Sequence, residues 1–294
     1  MARNRKETEN RSLKAKSSVG DAVRHGVAMS DATLARLRPE AAAQDAATIH
    51  HFRTTLRRLR SLLSSFKEVA PPAKRKALSG RLKDLSQRYA ALREWDVLIQ
   101  ALAKDVDGAD PDQIGAVAKA ARERRQTIAR ADGPLTRDIA ATDHALAAAE
   151  WLRAPSGGET ELWNERIDDY APDLLERQWR KLRKRSRTLD LSDAESFHKF
   201  RIAAKKHRYT IEFLASRYPK KQLKPYLKRV VAIQDVLGEM RDALVAEELI
   251  GQLELPPALR ATATKWLARR AAECRKRFPA QGKAFRRETP FWEH

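Results

Sequence analysis

The sequence predicts an all-α protein in two related halves, each able to form an antiparallel four-helix bundle. Three observations carry this expectation. No segment shows sustained Val/Ile/Thr alternation, so strands are not expected. Proline and glycine stand mostly between long Ala/Leu/Arg/Glu-rich segments, at Pro71-Pro72, Pro111, Gly133-Pro134, Pro219, Pro256-Pro257 and Pro279. One basic stretch near residue 50 returns 148 residues later.

Taken in order, residues 1–18 hold Arg3, Arg5, Lys6, Arg11, Lys14 and Lys16 against Glu7 and Glu9, and read as a mobile basic tail. Helices are expected at about 19–38, 44–68, 73–106, 111–131 and 134–153, forming a first half over 19–153. The loop signal Ala154-Pro155-Ser156-Gly157-Gly158 marks a linker over 154–159. Helices at about 160–187, 193–218, 221–252 and 256–278 build the second half over 160–280, and 281–294 close the chain as a tail. About four main helices per half, joined by short connections, suit a four-helix bundle.

Composition narrows the class of protein. The 294 residues carry 59 Lys+Arg against 39 Asp+Glu, a net charge of +20, with pI ≈ 10.3. At 42% hydrophobic and 33% charged, the chain has enough apolar surface for a core under a highly charged exterior, which excludes a fully disordered polyelectrolyte. No run of about 18 apolar residues offers a membrane span, and no apolar leader opens the chain. The single cysteine, Cys274, excludes an intrachain disulfide framework and a cysteine-rich zinc module. The expectation is a soluble, cytoplasmic protein whose partner is an anion.

The repeat locates the chemistry. His50-His51-Phe52-Arg53-Thr54-Thr55-Leu56-Arg57-Arg58-Leu59-Arg60 precedes His198-Lys199-Phe200-Arg201-Ile202-Ala203-Ala204-Lys205-Lys206-His207-Arg208. Four of the eleven positions are identical, and every basic position of the first copy stays basic in the second. Arg93-Glu94 meets Arg241-Asp242 and Arg81 meets Arg229 at the same offset, which marks a duplication.

At about 100° per residue, His50, Arg53, Arg57 and Arg60 fall within an arc of about 80° on one side of their helix. Phe52, Leu56, Leu59, Leu63 and Phe66 lie opposite. His198, Arg201, Lys205 and Arg208 repeat the cationic arc, backed by Phe200, Ile211 and Leu214. Such cations stand about 5–6 Å apart and repel one another. No acid occurs from Thr48 to Lys67, and only Glu212 follows the second motif, so the face calls for an anion with repeated charges. Arginine offers a planar fork to phosphate oxygens, lysine a point charge, and histidine a donor that gains charge as pH falls.

Secondary contributors are Arg58 and Lys206 within the motifs, Arg177, Lys181 and Lys184 in the basic segment 177–187, and Arg81 and Arg229. A solvated basic surface is the plain alternative for these faces, and duplication weakens it. Helix–helix hydrogen bonding is the alternative for His50 and His198, and the better reading for His207 on the apolar side. Arg93 and Arg241 each precede an acid, and for both a structural ion pair is a better reading than a ligand contact. No glycine-rich phosphate loop, H-E-x-x-H pair, nucleophile elbow or carboxylate cluster occurs. No metal site and no cofactor are expected, and binding rather than catalysis is the default.

The paired H-x-x-R-x-x-x-[RK]-[RK]-x-R helices resemble the CHAD family, the conserved-histidine α-helical domain. Leu92-Arg93-Glu94-Trp95-Asp96-Val97-Leu98 is similar to its R-D-x-D-V-L segment, and Gln234-Asp235-Val236-Leu237-Gly238-Glu239-Met240-Arg241-Asp242 to its Q-D-x-L-G-E-x-x-D segment. The resemblance runs from about 19 to about 280. It implies two pseudo-symmetric four-helix bundles around a central basic cavity that binds inorganic polyphosphate, and association with polyphosphate granules. Departures are Ala90, Glu94 and His207, none of which removes a cavity cation. The alternative is a nucleic-acid-binding protein using the same cations, and an enzyme acting on phosphate esters is less favoured.

Overall fold

The computed structural model describes residues 13–14, 16–104, 110–131, 135–153, 160–191 and 193–292. The predicted linker at 154–159 and most of the predicted N-terminal tail lie outside them. Among the described residues the chain is helical throughout, without strands. The helices are α1 (Val19–Leu37), α2 (Ala46–Ser65), α3 (Pro72–Arg88), α4 (Ala90–Lys104), α5 (Pro111–Ala131), α6 (Leu135–Ala147), α7 (Thr160–Asn164), α8 (Ile167–Arg187), α9 (Ala194–Leu214), α10 (Lys220–Gly251) and α11 (Pro257–Arg286). None is long and apolar enough to cross a membrane.

The two motif helices start alike. Asp45 caps α2 by accepting from the amides of Ala47 and Thr48, each at 2.8 Å. Asp193 caps α9 by accepting from those of Glu195 and Ser196, at 2.9 and 3.2 Å. Each cap satisfies amides that the first turn leaves unpaired, and the two caps stand at matching positions of the repeat. The apolar backs of both helices are buried as their periodicity requires: Phe52, Leu56 and Leu59 on α2, Phe200, Ile211 and Leu214 on α9. The helices pack directly on each other. At their contact Ser65 Oγ and Thr210 Oγ1 lie 2.9 Å apart, and Gln178 Nε2 of α8 donates to both at 3.1 Å.

The apolar interior forms two clusters, and neither coincides with a sequence half. The larger joins α1, α2, α3, α6, α8, α9 and the start of α10. The smaller joins Trp95, Leu98 and Leu102 of α4 and Ile114 and Val117 of α5 with Ala246 and Ile250 of α10 and Trp266 of α11. Helices from 19–153 and from 160–280 share both clusters, so the apolar interior does not divide at the expected linker. Burial of apolar area drives this pairing, and it takes no account of sequence order.

Several boundaries also differ from expectation, among them the helix expected over 160–187, which divides into α7 and α8 at Glu165 and Arg166. The helix expected over 73–106 divides at Tyr89, whose ring packs edge-on against Phe52 at 5.7 Å and whose hydroxyl donates to Asp138 at 2.9 Å. At the N-terminus, Leu13 of the expected tail is buried and bonded to Ser216 and Arg217. At the C-terminus, α11 continues through Pro279 to Arg286, and the following Phe291 and Trp292 are buried rather than tail-like. An interior proline disfavours a helix by about 3 kcal/mol, so packing must offset it. Phe285 supplies that packing against Trp179, with ring centroids 5.1 Å apart.

Trp292 closes the aromatic cluster. Its ring lies 5.5 Å from His207 and 5.2 Å from Tyr226, and its Nε1 donates to Glu176 at 3.3 Å. His207 is fully enclosed here, with Nε2 2.8 Å from the Tyr226 hydroxyl, and burial pushes its pKa down to about 3. It is a core residue, as its place on the apolar side suggested. Trp292→Ala should lower the unfolding free energy by about 3–5 kcal/mol in chemical denaturation. A loss under 1 kcal/mol would show that the C-terminal segment only rests on the surface.

Candidate functional site

Cations on the arcs of α2 and α9 act on one another and on cations of α4 and α10, and this convergence is the candidate cleft. Arg53 and Arg57 enter from α2, Arg201 and Lys205 from α9, Arg93 from α4 and Arg241 from α10. Their charges act on one another. Arg57 is felt at Arg53, Arg60, Arg93, Arg201 and Lys205, and Arg241 at Arg53, Arg201 and Lys205. With Arg60, seven cations thus interact here, among the carboxylates Glu94 and Asp242, and Asp96 also acts on Arg93. Arg241 pairs with Glu94 across the two halves and lies 3.7 Å from Asp242.

Desolvation dominates the electrostatics. Burial, then the charge of Arg57, pushes Arg53 down to about 10. Burial likewise lowers Arg60, Arg93 and Arg201. Lys205 falls to about 7, through burial first and then Arg201, Arg57 and Arg241, with Asp242 opposing. Asp242 is raised by burial although Arg241, Lys205, Arg201 and Arg93 all pull it down. His50 is exposed on α2, and the partial desolvation of its ring, then Arg93, His51, Arg57 and Arg53, push it down to about 4. At neutral pH His50 therefore offers a hydrogen bond and no charge.

Among the described residues four guanidinium groups keep a buried Nε–H with no hydrogen-bond partner, three of them here: Arg53, Arg60 and Arg201. Each such group forgoes about 1–3 kcal/mol. Arg53 is held in place by donating through Nη1 to the Ser86 carbonyl, so its Nε does not turn away freely. Donors this confined, on a face this cationic, are matched by an anion with several oxygens.

The other sequence-predicted residues divide. His198 is exposed at the start of α9, outside the set of mutually interacting cations. Arg208 is diverted: its Nε donates to Glu212 at 2.6 Å and its Nη1 to Gln234 at 3.4 Å. Arg58 pairs with Glu212 at 3.1 Å, Arg177 with Glu68 at 3.7 Å and Arg229 with Glu288 at 3.5 Å. Arg81 and Lys184 are exposed on α3 and α8. Lys206 turns to the end of α2, donating to the carbonyl and hydroxyl of Ser64 at 2.9 and 2.7 Å, a favourable place for a cation. Burial, then Lys181, Lys67 and Arg75, push Lys206 down to about 8.

Lys67 and Arg75 escaped the sequence reading, as did the place of Arg93 and Arg241 in the cleft. Arg75 also keeps a buried, unpartnered Nε. It had no signal in the motif, because α3 carries no cationic row in register with α2. Arg241 makes the expected ion pair with Asp242 at 3.7 Å and a second one with Glu94 of the other half. Arg93 makes none among the described residues, where the expectation was a structural pair.

The fold and cleft define an all-helical protein organised around guanidinium groups from four helices. The sequence pattern of the CHAD domain family matches residues 28–251, and the chain belongs to that family. The crystal structure of the CHAD domain from the plant Ricinus communis is similar at 25% identity, with a TM-score of 0.72 over 94% of this chain and 92% of that one. PptA from Streptomyces chartreusis shares the fold at 16% identity, with a TM-score of 0.63 over 91% of this chain and 100% of that one. No curated protein matches the chain.

The cleft should weigh on stability in a pH-dependent way. Lys205 titrates near 7 in the folded chain and near 10.4 when unfolded, so its charge opposes folding fully below pH 7. The opposition fades as pH rises from 7 to about 10.4. In anion-free buffer, Lys205→Met should therefore melt several degrees above wild type at pH 6 and much closer to it at pH 10. Equal differences at both pH values would show that Lys205 is not held in a desolvated cationic setting.

Proposed function

We propose that the cleft binds inorganic polyphosphate without turning it over. The observation that carries this reading is the set of buried guanidinium donors without partners at Arg53, Arg60 and Arg201, among seven mutually interacting cations. A flexible chain of phosphates supplies closely spaced charge and an oxygen for each donor. The cluster of Lys67, Arg75, Lys181 and Lys206 gives a long chain a second station toward the end of α2. Spanning both stations raises effective concentration, so long chains should bind more tightly than short ones. Such a protein would gather on polyphosphate granules, as the family resemblance implies.

Nucleic acid fits the cleft less well. Single strands are held by aromatic platforms as well as cations. Here the aromatics of the motif helices, Phe52, Phe66 and Phe200, are buried in the interior. Binding rather than turnover is favoured because Glu94 is held by Arg241, and Asp242 serves as the counter-charge to four cations.

Replacing Arg53 and Arg201 together with Ala should weaken long-chain polyphosphate binding at least tenfold in fluorescence anisotropy, with unchanged helical circular dichroism. Wild-type binding by the double variant would remove the cleft as the site. In competition at equal phosphate and matched salt, polyphosphate should displace DNA and RNA. The reverse order, or release of orthophosphate from bound chains, would overturn the reading.

Proton linkage supplies a separate check. Bound polyanion raises the pKa of Lys205 above about 7 and that of Lys206 above about 8, so binding takes up protons above those values. Affinity should fall several-fold from pH 6.5 to pH 9, and less so in the double variant Lys205→Met, Lys206→Met. His50→Gln should leave the profile unchanged, because His50 titrates near 4 in the free protein. A pH profile that survives the lysine substitutions would refute this assignment.

A further inference from the structure

The second half carries an open groove where the first half is filled. On α4, Trp95 and Asp96 are 1% and 4% exposed. Trp95 lies in the smaller apolar cluster. Asp96 accepts from Arg125 Nε at 2.9 Å, and the same arginine donates to the Gln44 carbonyl at 2.6 Å, sealing the seam between α4 and α5. The positions 148 residues on are Ala243 and Leu244 of α10. The register holds on either side of them. Arg93 and Arg241 both enter the cleft, while Leu98 and Leu102 share the smaller cluster with Ala246 and Ile250.

The replacement of Trp95 and Asp96 by Ala243 and Leu244 removes the indole and the ion pair together. Leu244 is left 59% exposed, the most exposed large hydrophobic residue among those described. Ala243 and Leu244 line a groove of about 810 Å³ between α10, α11 and the start of α9, with Leu191, Phe197 and Met240 on its walls. Exposed apolar surface gathered in one concave place marks an interaction site rather than ordinary surface scatter.

We propose that this groove binds a large aromatic side chain presented by an acidic polypeptide segment, taking the place that Trp95 holds in the first half. A tryptophan-sized anchor buries about 150–250 Å² and is the kind of residue that dominates binding from a desolvated pocket. The charge at the groove argues for acids beside the anchor. Arg260 and Arg275 border it against Glu247, on a chain of net charge +20. That charge attracts an acidic segment and repels a second copy of this chain. The site lies beyond the cationic cleft, although α10 serves both, and it does not rest on polyphosphate binding.

A phage-displayed library of random dodecamers, panned on the full chain with excess long-chain polyphosphate as a polyanion competitor, tests the proposal. Enriched peptides should carry Trp or another large aromatic residue flanked by Asp or Glu. Made as free peptides, they should bind wild type at least tenfold more tightly than Ala243→Trp, which fills the groove from within. They should bind the Arg53→Ala, Arg201→Ala variant as they bind wild type. Leu244→Asp, at an already exposed position, gives the same readout should Ala243→Trp fail to fold. Enrichment without an aromatic residue, equal binding to the groove variants, or loss on the cleft variant would overturn the proposal. So would a wild-type dimer in sedimentation that Ala243→Trp converts to monomer, since the groove would then belong to a second copy.

Discussion

Like charges held together in a partly desolvated cleft repel, and much of this fold serves to keep them together. Arg53, Arg57, Arg93, Arg201, Lys205 and Arg241 come from four helices, so no single helix carries the whole repulsion. Each helix that brings a cation is anchored by an apolar back: Phe52 and Leu56 behind Arg53 and Arg57, Phe200 and Ala204 behind Arg201 and Lys205. Burial of those backs offsets the strain of the front, at about 1.5–3 kcal/mol for each large side chain. Functional clefts commonly hold such opposed terms, with stability supplied elsewhere in the molecule.

Polar contacts between the halves set the distance at which the two arcs meet. Ser65, Thr210 and Gln178 form a network where α2 meets α9, and the Arg241–Glu94 pair ties α10 to α4. Buried polar groups of this kind specify one arrangement more than they add stability, because any slip leaves them unpaired. The same logic explains why the cleft tolerates Glu94 and Asp242. Two carboxylates reduce the repulsion enough to let the arginines stand close, while the cations remain in excess.

The two stretches related by the 148-residue repeat differ in structure away from the cationic rows. Tyr89 breaks the first half into α3 and α4, whereas Leu237, its counterpart, lies within the continuous α10. The difference follows from the Tyr89 hydroxyl, which is drawn to Asp138, a residue that Arg88 also engages at 2.8 Å. Arg60 keeps a free donor facing the cleft, while its counterpart Arg208 is taken by Glu212. The sequence repeat carries two cationic rows, and the neighbours of each row decide how much of it stays available.

Local periodicity was enough to determine the all-α class, the two motif helices, their buried and cationic faces, and the core place of His207. Arg53, Arg60 and Arg201 were legible because a cation opposite an apolar stripe must leave the core, and a row without acids must find its counter-charge elsewhere. Periodicity reports the faces of one helix and says nothing of which helices meet. Tertiary packing alone decided that both apolar clusters mix the halves, that α11 runs through Pro279, and that Trp292 closes the core. It alone brought Arg93, Arg241, Lys67 and Arg75 to the cationic stations and turned Arg208 aside. The physical reason is range: a side chain's angle about its own helix depends on neighbours a few residues away, whereas its partners depend on contacts across the whole chain.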